Sequence, residues 1–292
     1  MVGLSRGEKI FNFANYTFMC MLIVLMIFPF WYLVMGSLSD AKLAAGGGLF
    51  LVPAGFSLDA YSAILNNSSF LTSFRTTVIV TIAGTAIGTF FSATTAYAIS
   101  KTRLRGATLF SFLILFTMLF NGGMIPSYLL VKELGMMNTL WALILPNAIS
   151  AFNIFVMRSF FKGIPEELEE AARIDGANDL TIFFRIVLPL SKAVLATIGL
   201  FIAVMYWNEF FSTVLYITDK DKWQLQAVLR DLISNTSQAM NSSGATMGLQ
   251  RNVSEFTVRM ASIVVATVPI LIVYPFLQKH FAKGALIGSV KG

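Results

Sequence analysis

The chain has 292 residues, of which 56% are hydrophobic and 12% charged, with a mean hydropathy of +0.74. Soluble domains carry about 25% charged residues, so this composition excludes an ordinary soluble protein and places the chain in lipid. The net charge of +6 would suit nucleic acid, but the cations cluster in short loops between apolar runs, the positive-inside pattern of membrane proteins.

A membrane helix needs about 20 mostly apolar residues. Six runs meet that length, the first over residues 15–35. Arg6 and Lys9 precede it, as in a secretory signal. The run is longer than a signal core, however, and SLSDAKLAAGGG after it offers no cleavage site, so a retained helix is expected. Residues 38–71 are rich in Gly, Ser and Asn and read as a solvated connector or a docking surface for an outside partner. The second run covers 72–100 and contains Gly84 and Gly88, a spacing that lets helices approach closely in lipid. Lys101, Arg103 and Arg105 follow with no acid among them. The third run covers 109–131. Its stretch Asn121-Gly122-Gly123-Met124-Ile125-Pro126 is expected to be irregular. Irregular backbone at membrane depth survives only against protein or a water-filled cavity, which sets Asn121 and Gly122 beside an internal path. The fourth run covers 140–161 and contains Pro146.

Residues 163–189 form the longest polar interruption on the basic side. Pro165 suits a first helical turn, and Glu166, Glu167, Glu169 and Glu170 crowd a helix N-terminus, where negative charge is favoured. Gly176 sits where a helix needs a left-handed residue to stop, and Asn178 or Asp179 can cap a second helix. Leu180, Phe183, Phe184 and Val187 then make an apolar stripe at helical spacing. Two short helices joined by a tight turn are expected, offered to another protein.

The fifth run covers 193–217 and holds Glu209, an ionisable residue within apolar sequence, beside Tyr206, Trp207 and Asn208. Such a carboxylate faces a cavity or a partner, or is hydrated near the interface. Asn and Glu bind sugar hydroxyls and aromatic faces stack on sugar rings. Tyr206, Trp207 and Tyr216 also suit an interfacial aromatic belt. Residues 218–256 are polar; Asn67-Ser68-Ser69 and Asn241-Ser242-Ser243 fit the glycosylation pattern, which is common by chance. The sixth run covers 258–277 and includes Pro269. His280 beside Lys279 is the only histidine and Cys20 the only cysteine, so no intrachain disulfide and no metal centre is expected. The basic residues fall mainly in 1–14, 101–108, 158–192 and 278–292, which puts both termini in the cytoplasm.

No GxxxxGK[ST], HExxH or CxxC occurs, and no catalytic residues are assigned. The spacing Glu170-Ala171-Ala172-x3-Gly176-x9-Ile186-x-Leu188-Pro189 resembles the EAA signature of permease subunits of ATP-binding-cassette importers. The resemblance covers nearly the whole chain, including the six-helix count and Trp207-Asn208-Glu209-Phe210. It looks like the maltose-permease-like carbohydrate branch, and most like permeases for alginate-, pectin- or xylan-derived oligosaccharides. It implies an all-α, six-helix type I permease domain over 1–292, multi-pass in the bacterial inner membrane. It implies a second permease in a heterodimer, two ATPase subunits carrying ATP and Mg, and an extracytoplasmic solute-binding protein. No cofactor is expected on this chain itself. Glu166, Glu167, Glu169, Glu170, Ala171, Ala172, Asp175, Gly176, Phe183, Ile186, Leu188 and Pro189 are then the ATPase-coupling residues, with Glu170 as the ion-pairing group and Gly176 as the turn. Tyr206, Trp207, Asn208, Glu209, Asn121 and Gly122 are the substrate-path candidates.

Three other readings meet chemical objections. An ion-gradient transporter needs an intramembrane charge relay, and here only Glu209 is available. A structural membrane subunit without a path leaves Glu209 unused. A DNA-reading helix–turn–helix is opposed by four glutamates facing phosphate and by flanking spans.

Overall fold

The computed structural model describes residues 5–44, 48–101, 103–232 and 255–289, with side chains in the last stretch described for 256–273 and 275. Among the described residues every regular element is helical. In chain order they are α1 (Arg6–Ser37), α2 (Ala41–Ala44), α3 (Asp59–Leu65), α4 (Ser68–Ser100), α5 (Ala107–Leu119), α6 (Met124–Glu133), α7 (Leu140–Ile144), α8 (Ala151–Lys162), α9 (Glu166–Ile174), α10 (Asp179–Leu190), α11 (Lys192–Asn208), α12 (Phe211–Tyr216), α13 (residues 225–232) and α14 (Glu255–Ser289). The glycosylation pattern at Asn241 lies outside the described residues, as does much of the loop 218–256.

Among the described residues three helices, α1, α4 and α14, are long and apolar enough to cross a membrane unbroken, and the count rises to as many as six if each of three bent pairs is one span. The bends fall partly where irregular backbone is expected. Between α5 and α6 the axis turns by 114°, at the predicted Asn121–Pro126 stretch, where Gly123 adopts φ +89°. α7 and α8 meet at 52° across Leu145–Asn147, a tight turn that takes up Pro146. α10 and α11 meet at 83°. The fifth run also ends earlier than expected: α11 stops at Asn208, and Glu209 and Phe210 separate it from α12.

The chain divides into two compact units. One comprises Met1–Ser68 and Leu229–Val268. Here α1 begins well before residue 15, because Ser5 and Glu8 form a reciprocal capping box: the Glu8 N–H donates to Ser5 Oγ at 3.3 Å and the Ser5 N–H to Glu8 Oε2 at 2.7 Å. The described parts of the connector after α1 are held by side-chain contacts. The Trp31 indole donates to the Leu51 carbonyl at 2.9 Å, the Ala54 N–H donates to Ser39 Oγ at 3.0 Å, and Phe50 sits 5.7 Å from both the Tyr32 and Phe256 rings.

The other unit comprises Ser69–Val228 and Pro269–Gly292 and holds the main core. Val80 and Tyr97 of α4, Met157 and Phe161 of α8, Val187 of α10, and Ile198, Ile202 and Tyr206 of α11 are buried together. The paired glycines of α4 make the close approach that their spacing predicts. A side chain at Gly84 would overlap the Tyr206 ring, and one at Gly88 would meet the Ala148 carbonyl oxygen at 2.5 Å. The Tyr206 hydroxyl donates to the Ile144 carbonyl at 2.6 Å and ties α11 to α7.

Candidate functional site: the segment between α8 and α11

The polar interruption folds as the sequence predicts up to its turn. α9 carries three of its glutamates in the first turn. Gly176 has φ +83° with open space around it, so conformation rather than room explains the glycine. Its N–H donates to the Arg173 carbonyl and that of Ala177 to the Ala172 carbonyl, both at 2.9 Å, which closes the end of α9. Of the two cap candidates it is Asn178 that serves, its Oδ1 accepting from the Thr181 N–H at 2.8 Å.

α10 departs from the predicted stripe. Its middle, Phe183–Val187, winds as a π-helix, which adds almost one residue to the turn. The buried positions are therefore Ile182, Phe183 and Val187, with Ile182 and Val187 five residues apart. Leu180 and Phe184, the other two members of the stripe, are exposed.

Of the twelve coupling candidates, Glu166, Glu167, Glu170, Ala171, Asp175, Gly176 and Pro189 face outward. Glu169, Ala172, Phe183, Ile186 and Leu188 turn toward the body of the unit. Glu169 is only 5% exposed. Its carboxylate forms an ion pair with Lys101, and its other oxygen accepts from Arg173 at 3.3 Å. Arg103 pairs with Asp179, whose carboxylate also lies 3.9 Å from Arg173. Lys101 and Arg103, read from sequence only as orientation signals, thus hold α9 and α10 to the end of α4. Lys101 Nζ lies 4.5 Å over the Tyr97 ring, and the Arg158 guanidinium donates to the Ile99 carbonyl at 3.1 Å. Glu170, one residue further on, makes no ion pair among the described residues. On the same face, Glu167, Glu170, Ala171 and Ile174 form one outward stripe at helical spacing, ending in Ile174 at 87% exposure. Sequence reading passed over Ile174, although its position four residues after Glu170 put it on that face. The partners of Lys101 and Arg103 lie too far along the chain for any local signal to show them.

The substrate-path candidates do not assemble into one polar site. Tyr206 is fully buried in the core. Trp207 packs edge-on to Phe74, 5.9 Å between centroids, and lines a cavity of about 590 Å³ with Val78, Phe201, Val204 and Pro269. Thr81 is among its few polar groups, so the wall offers little to sugar hydroxyls. The Asn208 amide donates to the Val204 carbonyl at 2.8 Å. Glu209 stands in the break between α11 and α12, half-buried, and its Oε1 accepts from the Ser212 N–H at 2.8 Å. That corrects its placement inside a continuous helix: the carboxylate meets a free N–H at the start of α12. Asn121 and Gly122 are exposed in the α5–α6 bend, where Asn121 Oδ1 accepts from the Gly123 N–H at 2.8 Å. Outside the spans, the Asp221 N–H and the Lys222 ammonium hold the Asp219 carboxyl below the usual carboxylate range.

The fold matches a solved chain from the crystal structure of a bacterial ABC transporter involved in the import of the acidic polysaccharide alginate. The TM-score is 0.86 at 34% identity, over 96% of this chain and 100% of that one. The profile of the binding-protein-dependent transport system inner membrane component family matches residues 103–286, and the chain belongs to that family. The polygalacturonan/rhamnogalacturonan transport system permease protein YtcP of Bacillus subtilis (strain 168) is 46% identical over 98% of this chain and 99% of its own length. Protein LplC of the same organism is 46% identical over 99% and 97%. Family membership selects a binding-protein-dependent importer over the ion-gradient transporter.

Proposed function

We propose that the chain is one of two membrane-spanning subunits of an ATP-driven importer for acidic oligosaccharides of the pectin or alginate type. The outward stripe on α9 carries the docking part of this reading. Glu167, Glu170, Ala171 and Ile174 present acid and hydrocarbon together on a short helix that is anchored from behind and open in front. An exposed isoleucine beside a carboxylate suits a cleft with an apolar floor and a basic rim. An ATPase subunit supplies that cleft, a solute-binding protein delivers substrate to the opposite side, and both termini lie in the cytoplasm. ATP binding supplies the differential affinity that moves the helices between inward- and outward-open arrangements. The acidic-sugar part draws support from the substrates named for YtcP and for the alginate importer.

The test is co-purification of the chain with its cognate permease and ATPase subunits, followed by ATP hydrolysis in the presence of binding protein. Oligogalacturonides and oligoalginates are expected to stimulate hydrolysis, and neutral malto-oligosaccharides are not. Stimulation by neutral sugars alone would remove the acidic-substrate assignment, and failure to retain any ATPase would remove the importer reading.

A further inference from the structure

We propose that α4 is the rod that carries motion from the α9–α10 segment across the membrane, and that Lys101 and Arg103 are its joint. This rests on α9–α10 being the ATPase docking segment. Three observations converge on it. First, the end of α4 is fastened to that segment on two sides, by Lys101 to Glu169 of α9 and by Arg103 to Asp179 of α10. Arg173 bridges the two carboxylates. Arg103–Asp179 is open to water, whereas the Glu169 side chain is 6% and the Lys101 side chain 18% exposed, so this pair is largely shielded. Breaking one half of such a pair leaves a poorly solvated charge, which makes the joint stiff.

Second, the same end is wedged by packing. The Tyr97 ring lies 5.1 Å from Phe183 of α10 and 6.4 Å from Phe161 of α8. Phe183 opens the π turn of α10, so the irregular segment and the ring contact with α4 coincide. A displacement of α9–α10 therefore pushes on α4 through a charge contact and a ring contact together.

Third, α4 is the unbroken span within its unit between residues 69 and 228, whereas the other spans there bend by 52° to 114°. A straight helix transmits displacement, and a bent pair absorbs it at its break. From Thr77 to Lys101 the helix reaches about 36 Å at 1.5 Å per residue, roughly the thickness of a bilayer core. At the far end, Thr77 Oγ1 accepts from the Leu225 N–H at 2.8 Å. Gln224 beside it donates to the Tyr206 carbonyl at 3.1 Å and accepts from the Thr213 hydroxyl at 2.9 Å. Motion entering at Lys101 thus leaves at the turn that holds α11 and α12. The two cations and two acids are positioning residues, which touch neither nucleotide nor sugar.

The experiment uses the assembled complex in lipid nanodiscs, in a Cys20→Ser background with a reporter cysteine at Ile82, an exposed position on α4. Labelling by a methanethiosulfonate reagent is compared without nucleotide and with vanadate-trapped ATP. The reporter is expected to change its labelling rate about fivefold, the lower end of ordinary allosteric coupling. Glu169→Gln combined with Asp179→Asn is expected to abolish that change while the ATPase still co-purifies. The conservative Lys101→Arg, which keeps a cation opposite Glu169, is expected to retain it. The proposal is overturned if the neutralised variant keeps the full response in an assembled complex, or if the unaltered chain gives none. Loss of ATPase from the unaltered chain is a separate readout and counts against the docking reading instead.

Discussion

Gly88 of α4 lies directly beneath the Ala148 carbonyl oxygen, 2.5 Å from where a β-carbon would stand. The obstacle is backbone, at the turn between α7 and α8, and cannot rotate away. Gly88→Ala is therefore expected to cost about 1–3 kcal/mol through overpacking. A thermal unfolding scan of the purified subunit checks this, with Gly122→Ala as control, since a β-carbon there meets only Pro126 at 3.8 Å. Equal melting temperatures for the two variants would show that the contact is looser than described.

Neighbouring glutamates on α9 should behave oppositely. Glu169→Gln leaves Lys101 without its carboxylate and is expected to lower subunit stability by about 1–3 kcal/mol, because the lysine keeps some access to water. Glu170→Lys, on the outward face, is expected to leave the melting temperature unchanged and to weaken ATPase association. Melting and pull-down on the same two variants separate the roles.

Ile174 gives a prediction that no ion-pair argument makes. If its exposed side chain fills a pocket on the ATPase, Ile174→Ala removes a central apolar contact worth about 1–2 kcal/mol, or about tenfold in affinity. Titration of the ATPase onto nanodisc-held permease measures it. Unaltered affinity would move the contact to the glutamates alone.

Glu209 is expected to tolerate amide replacement better than truncation. Glu209→Gln retains an oxygen for the Ser212 N–H, whereas Glu209→Ala leaves that donor unmet at a cost of about 1 kcal/mol. If transport falls equally in both variants while assembly holds, the negative charge itself serves the path.

How far the sequence reached depended on the range of the physics. Hydropathy picked out six apolar runs because lipid exposure is averaged over some twenty residues. Gly123 and Pro146 announced two of the bends, since each breaks helix geometry by its own covalent structure. The break at Glu209–Phe210 holds no such residue, and hydropathy runs straight through it. The π turn in α10 was invisible for a related reason: Ile182 and Val187 share a face only once the extra residue is known. The coupling glutamates were legible as a group, but their sorting was not. Glu169 differs from Glu170 only in facing Lys101, and that cation reaches it through the folding of α4 against α8 and α9. By contrast, the Ser5–Glu8 capping box stood in plain view four residues into the chain, and α1 was still placed too late.

The angle of 114° between α5 and α6 has a consequence for insulation. α5 has 13 residues and α8 has 12, so each reaches about 18–20 Å, against about 30 Å of hydrocarbon. Helix ends then fall at depths where lipid offers no hydrogen bond, and the peptide groups there need protein or water beside them. A neighbouring subunit seals such a break, whereas enclosed water satisfies its peptide groups without sealing it.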